Sequence, residues 1–216
     1  RFGLTTERAL KVAQALYEKH KAISYPRTDS RYLTPDVARS LPPILKSIKA
    51  PWRASAQAIL NAGLPKLGKR YVNAQRVTDH HAIIPTDTQL DLSRLDQDER
   101  RLYELIVRSL LAALSPVAID QHMALEALIA GELWSAQGRV EVNRGWREVA
   151  SPPLRPPKER TLPYVPVHTP TRIKEAQVDQ RQTQPPKPFT DATLLGAMEH
   201  AGRQIEESEL RAIMRE

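Results

Sequence analysis

Cysteine is absent from the 216 residues, which removes disulfides, thiol catalysis and thiolate metal sites such as a zinc ribbon. The same absence is compatible with a reducing compartment, and a cytoplasmic location is the expectation. Aromatic residues are scarce at 5%, so base stacking is not expected to carry most of any affinity for nucleic acid. No apolar run approaches the roughly 18 residues of a membrane span, and no cationic, apolar leader opens the chain. No membrane partner is expected. Internal repeats are not visible. Acidic residues are outnumbered, 25 Asp and Glu against 32 Lys and Arg, leaving a net charge of +7 that favours an anionic partner. A hydrophobic content of 41% is enough for a buried core and one to two domains. The chain begins with Arg1 and ends within a helical pattern, and reads as a piece of a longer protein.

The stretch around which the rest is arranged is Ile23-Ser24-Tyr25-Pro26-Arg27-Thr28-Asp29-Ser30-Arg31-Tyr32-Leu33. Pro26 biases Tyr25 towards extended backbone and ends any helix before it, so Tyr25 is expected at a strand end or turn. A free phenol titrates near pH ~10, so a tyrosine nucleophile needs help. Arg27, two residues on, shares a face with Tyr25 in extended chain, and its planar fork can hold two phosphate oxygens. A second informative stretch is Val77-Thr78-Asp79-His80-His81-Ala82-Ile83-Ile84-Pro85-Thr86. Adjacent histidines suggest a metal, but sequence neighbours rarely converge on one ion and no suitably spaced partner lies nearby. Between the two stretches, Lys66, Lys69, Arg70 and Arg76 lie in a Gly-containing loop suited to phosphate contacts.

Periodicity supplies the frame. Thr5 and Thr6 lead into a helix with Leu10, Ala13, Leu16 and Tyr17 on its apolar stripe. Thr34-Pro35-Asp36 opens a helix that Pro42-Pro43 interrupts, and a further short helix is expected to run to Lys49. A helix from Trp52 to Ala62 is stopped by Gly63 and Pro65. Asp96 with Glu99 is a cap signature rather than a magnesium pair, and starts a helix that ends at Ser115-Pro116. From Met123 the period shortens to two, which predicts antiparallel strands up to Val142, then a turn at Asn143-Arg144-Gly145, with Trp146 expected as a core anchor rather than a base-stacking platform. The proline-dense run 152–170 predicts an extended connector, Thr171 to Gln182 a further strand, and Thr190 the cap of a helix carrying Leu194, Leu195 and Met198. The fold class expected is α+β.

The Tyr25 stretch closely resembles the active-site segment of type IA DNA topoisomerases, and Pro26 resembles the topoisomerase III branch. The His80 stretch resembles the family's histidine motif, and Gln182 to Leu195 a third family segment. The resemblance implies that Tyr25 and Arg27 are catalytic, with His80 touching DNA near the scissile phosphate and Asp29, Arg31, Lys66, Lys69 and Arg70 as further nucleic-acid contacts. It implies a mainly helical, CAP-like (winged-helix-like) tyrosine domain over 1–116, part of a β-rich arch over 117–184, and the start of the next helical domain from 185 to 216. It also implies single-stranded DNA as partner, a monomer, and Mg2+ held by a toprim domain outside this chain, with no metal ligand within it. The expected reaction is reversible, ATP-independent strand transesterification through a 5′-phosphotyrosine. Two rivals remain: a non-catalytic single-stranded nucleic-acid-binding module, and a tyrosine recombinase suggested by His200-Ala201-Gly202-Arg203. The second is disfavoured because that class needs its tyrosine after the motif, and Tyr164 is the last here.

Overall fold

A computed structural model describes residues 2–150 and 161–200. The recombinase-like His200-Ala201-Gly202-Arg203 and the first half of the proline-dense run therefore lie partly or wholly outside the described residues. The chain divides into two compact units, Leu10–Thr169 and a second comprising Arg1–Ala9 with Pro170–Glu216.

Helices dominate the first part of the chain. The α1 helix, Thr6–Glu18, buries Val12, Ala13 and Leu16 on one stripe. Beyond it the chain turns sharply: Ala22 N–H reaches back to the Leu16 carbonyl at 2.8 Å, and Lys21 takes the left-handed conformation (φ 53) that such a closure requires. Thr34 caps α2, Pro35–Arg39, through its hydroxyl, with Pro35 in the first turn. The two adjacent prolines do not sit in the middle of a broken helix. They occupy the first turn of α3, Leu41–Ser47, where a missing N–H leaves no bond unmade. The helix ends two residues short of Lys49. α4, Arg53–Ala62, closes at Gly63 with φ 79, as the glycine predicts. The longest helix, α5, Gln97–Leu114, starts in a reciprocal capping box in which Asp96 accepts from Glu99 N–H at 2.8 Å and Glu99 accepts from Asp96 N–H at 2.9 Å.

These helices close over one core that includes Leu16, Ile23, Leu33, Leu41, Leu45, Trp52, Tyr103, Val107 and Leu111. Helix α3 packs on α4, and α4 on α5. Trp52 and Tyr103 meet edge to face, with centroids 6.1 Å apart. Glu99 is buried, and its carboxylate lies 3.3 Å from the equally buried His20 imidazole, so the start of α5 is tied to the turn that follows α1.

The strands form a single antiparallel ribbon of β1, Ile119–Ile129, and β2, Glu132–Asn143. Its two-residue tip, Ala130-Gly131, has both residues at positive φ (52 and 84), the geometry of a primed turn that matches strand twist. At its base, Arg147 donates to Asp120 (2.7 and 2.6 Å) and to Glu141 (3.0 Å), while Arg139 reaches the same Asp120 at 2.7 Å. Two guanidiniums beside it hold the Asp120 carboxyl well below the usual range. The chain then enters a 3-10 turn, Gly145–Glu148. Gly145 (φ 49) passes so close to the carbonyls of Pro116 and Val117 that a Cβ would stand 2.5 and 2.4 Å from them.

Two expectations are corrected. Trp146 is not a core anchor: it is 38% exposed, because Gly145 seats its backbone against Pro116 at the surface. Thr171 to Gln182 forms no strand and is exposed throughout. Thr190 does cap a helix, α6, Asp191–Glu199, whose Leu194, Leu195 and Met198 are exposed.

Burial pushes the Tyr103 phenol up to about 12. Between about pH 10 and 12 the unfolded chain releases this proton while the folded chain keeps it, so stability falls as pH rises through that window. Chemical denaturation of Tyr103→Phe should show a shallower decline than the wild type between pH 10 and 11.5; parallel declines would contradict the assignment.

Candidate active site

Tyr25 stands on a segment that is extended without belonging to a sheet. Residues 22–33 run beside residues 71–88, and the two are joined at intervals. Ile23 faces Pro85 in an isolated antiparallel bridge, with Ser24 N–H donating to Ile84 O (2.9 Å) and Thr86 N–H to Ala22 O (3.0 Å). That register places Pro85 where no N–H is needed. Leu33 faces Val72 in a parallel bridge, held by Leu33 N–H to Tyr71 O and Asn73 N–H to Leu33 O.

Hydroxyls complete the pairing. Ser24 donates to Ala82 O (3.2 Å) and accepts from Ile84 N–H (3.0 Å). Thr28 donates to the His80 carbonyl at 2.8 Å, Ser30 to the Arg76 carbonyl at 3.0 Å, and Thr78 to Asp29 at 3.3 Å. Thr86 and Thr88 both donate to the Lys21 carbonyl, at 2.5 and 2.9 Å. The strained Lys21 thus presents its carbonyl to the second segment.

The result is a cluster of three rings. Tyr25 lies 4.3 Å, centroid to centroid, from the His80 imidazole at a tilt of 45°. Tyr17, from the last turn of α1, meets Tyr25 edge to face at 5.3 Å. The two sequence stretches singled out above therefore converge, although 55 positions separate Tyr25 from His80. Beside them opens a shallow cleft of about 360 Å³, lined by Arg27, Thr28, Asp29, Thr78, Asp79 and His80. Arg27 is exposed and forms no ion pair with a described residue, although Asp29 and Asp79 line the same cleft. His81, by contrast, is half-buried with Nδ1 2.7 Å from the Ala82 carbonyl.

Not all candidates gather here. Arg31 is exposed on the Tyr25 segment, whereas Lys66 and Arg70 line a different hollow and Lys69 is exposed in the turn between them. Tyr17, Thr28 and Thr78 complete the geometry without having been singled out. Thr28 and Thr78 each stand beside an acid in a short polar motif, which was the available signal; Tyr17 reads as ordinary helix stripe. Among the described residues no three His, Cys, Asp or Glu side chains are grouped so that they could hold a metal ion.

The family model for DNA topoisomerase matches residues 1–203. The chain belongs to the DNA topoisomerase family. Its similarity lies within the type IA class, in the topoisomerase III branch: it is 37% identical to DNA topoisomerase 3 of Bacillus licheniformis over 205 residues, covering 93% of this chain and 28% of that protein. DNA topoisomerase 3 of Bacillus subtilis is also 37% identical, over 206 residues, and that of Shouchella clausii 36% over 207. The chain thus spans little more than a quarter of the length of these topoisomerases. No helix among the described residues is long and apolar enough to cross a membrane.

The Ser24 hydroxyl makes two polar links between the Tyr25 segment and the histidine segment. Ser24→Ala deletes both of its bonds and leaves Ile84 N–H without that acceptor, a loss of about 1–3 kcal/mol in unfolding free energy. Urea denaturation measures it; a change below about 0.5 kcal/mol would show that the two segments are held together by other means.

Proposed function

We propose that this chain carries the nucleophile of a type IA topoisomerase, with Tyr25 attacking a single-stranded DNA phosphodiester. The observation that supports the reading is the contact of the Tyr25 ring with His80, which together with Arg27 lines an open cleft beside it. In the step itself the Tyr25 oxygen bonds to phosphorus as the bond from phosphorus to the 3′ oxygen breaks. The phenol loses its proton, the departing 3′ oxygen gains one, and the DNA end is held as a 5′-phosphotyrosine. One phosphoester replaces another, so religation by the 3′ hydroxyl needs no ATP. Arg27 stabilises charge on the non-bridging oxygens; a charge pair about 4 Å apart is worth roughly 4 kcal/mol at an effective dielectric of 20. His80 supports the ring that reacts and offers an imidazole to the neighbouring phosphate, with Asp29 fixed by Thr78 at the cleft's edge.

Residues 1–116 are read as a tyrosine domain of CAP-like, winged-helix-like character, 117–184 as part of an arch, and 185–216 as the start of a further domain. Support comes from family membership and from the order of elements, with α1 to α5 before 116 and both strands after it. Among the described residues no three His, Cys, Asp or Glu side chains are grouped so that they could hold a metal ion, and Mg2+ is proposed to be held by a toprim domain outside this chain. A cytoplasmic monomer acting on single-stranded DNA completes the reading.

Within the complete polypeptide, Tyr25→Phe should abolish the covalent adduct and relaxation of negatively supercoiled DNA. Arg27→Ala should slow cleavage by at least about a hundred-fold, with Arg27→Lys recovering part of it. Wild-type relaxation by Tyr25→Phe would refute the nucleophile.

The two histidines provide a second check. His80→Ala should weaken oligonucleotide binding more than His81→Ala, whose ring is occupied by a backbone carbonyl. The reverse order would show that the wrong member of the pair faces DNA. The 216-residue chain alone should bind single strands in a salt-dependent way and form no adduct with magnesium present; an adduct lost in Tyr25→Phe would show that no other part is required.

A further inference from the structure

A second hollow, of about 690 Å³, shares no lining residue with the Tyr25 cleft. Its walls are the loop 65–71, the C-terminal half of α5 from Arg108 to Ser115, Val117, and Trp146 with Ala150. The size is within the roughly 300–1,000 Å³ of sites that enclose small molecules. Its chemistry is divided. Leu67, Ala112, Ala113, Val117 and the Trp146 ring supply an apolar and aromatic part, while Lys66, Arg70 and Arg108 supply charge.

Among the described residues no carboxylate lines the hollow. The Arg108 charge is met by Glu104 at 2.7 Å, but Lys66 and Arg70 form no ion pair with a described residue. Two uncompensated cations beside an indole face suit a ligand that is anionic at one end and flat at the other. A nucleotide within a DNA strand has that character. A bare anion would leave the aromatic wall unused.

The backbone that carries Trp146 is anchored: its backbone N–H donates to Pro116 O at 2.8 Å, and Gly145 before it is pressed against the Pro116 and Val117 carbonyls. The Arg147 guanidinium, 6.0 Å from the ring centroid, is itself pinned by Asp120 and Glu141. Trp146 is 38% exposed, which leaves its indole accessible to a base.

We propose that this hollow is a single-stranded DNA subsite separate from the cleavage cleft, taking a base against Trp146 and adjacent phosphates on Lys66 and Arg70. The inference rests on the reading above that the partner is single-stranded DNA. It gives Lys66 and Arg70 a place that is not beside the nucleophile.

The test uses the 216-residue chain and a fluorescein-labelled twelve-nucleotide oligothymidylate, titrated over a range of salt. Trp146→Ala should weaken binding about ten-fold or more and Trp146→Phe should retain most of the affinity. The exposed pair Lys66→Gln with Arg70→Gln, which leaves the core untouched, should lower the slope of log affinity against log salt by about 1.4, twice the roughly 0.7 expected per phosphate on a single strand. Photo-crosslinking from 5-iododeoxyuridine in the oligonucleotide should label Trp146. Crosslinks confined to Trp134 at the ribbon's far end, or an unchanged slope in the double variant, would overturn the subsite. If the wild type binds while only His80→Ala weakens it, the subsite fails and the cleavage cleft stands. If the wild type does not bind, both fail.

Discussion

Two irregular segments must satisfy each other's backbone for Tyr25 to be anywhere in particular. Residues 22–33 and 71–88 contain Pro26 and Pro85, which cannot donate to a ladder, so a regular sheet through them would leave gaps. The gaps are filled by side-chain hydroxyls. Ser24, Thr28, Ser30, Thr86 and Thr88 each bond to a carbonyl of a segment at least 46 positions away in sequence. Buried backbone groups left without such partners would oppose the pairing. The density of Ser and Thr in both motifs is therefore part of how the ring cluster is assembled, independently of any contact with DNA.

The helices act on the site through that pairing. Helix α1 carries Tyr17 at its end and then reverses through Lys21, whose left-handed backbone costs about 1 kcal/mol in a residue with a side chain. The turn is held from outside by Thr86 and Thr88 on its carbonyl, and the His20–Glu99 contact ties the same turn to the capped start of α5. Three stretches distant in sequence thus fix the angle at which α1 delivers the chain to Tyr25. Neither the α1 stripe nor the α5 cap has chemistry of its own, yet each limits where the phenol can go.

What could be read in the sequence follows from which interactions are local. Caps at Thr34, Asp96 and Thr190 and the stop at Gly63 are decided within a few residues, and the structure has each of them. The change of period from α5 to the ribbon is equally local. The fate of Trp146 depended on Gly145 meeting Pro116 at the base of the ribbon, and a strand at Thr171 to Gln182 needed a partner strand that its own residues cannot supply; neither is encoded in a short window. Tyr25 and His80 could be linked in sequence only through family resemblance, because no local rule brings together residues 55 positions apart. The contact of Tyr17 with Tyr25 was hidden because Tyr17 is also a good helix-stripe residue.

In the proposed reaction a covalent phosphotyrosine is formed and reversed at one cleft, so tight ground-state binding there would slow departure from either side. Affinity located elsewhere has no such cost, and Lys66 and Arg70 line a hollow that shares no lining residue with the cleft. The proposed subsite would hold a strand by an indole and two cations through cleavage and religation, while the cleft would contribute only what the reacting phosphate requires. Asp29 and Asp79 line that cleft beside Arg27, so it is not a strongly cationic surface, which agrees with that division.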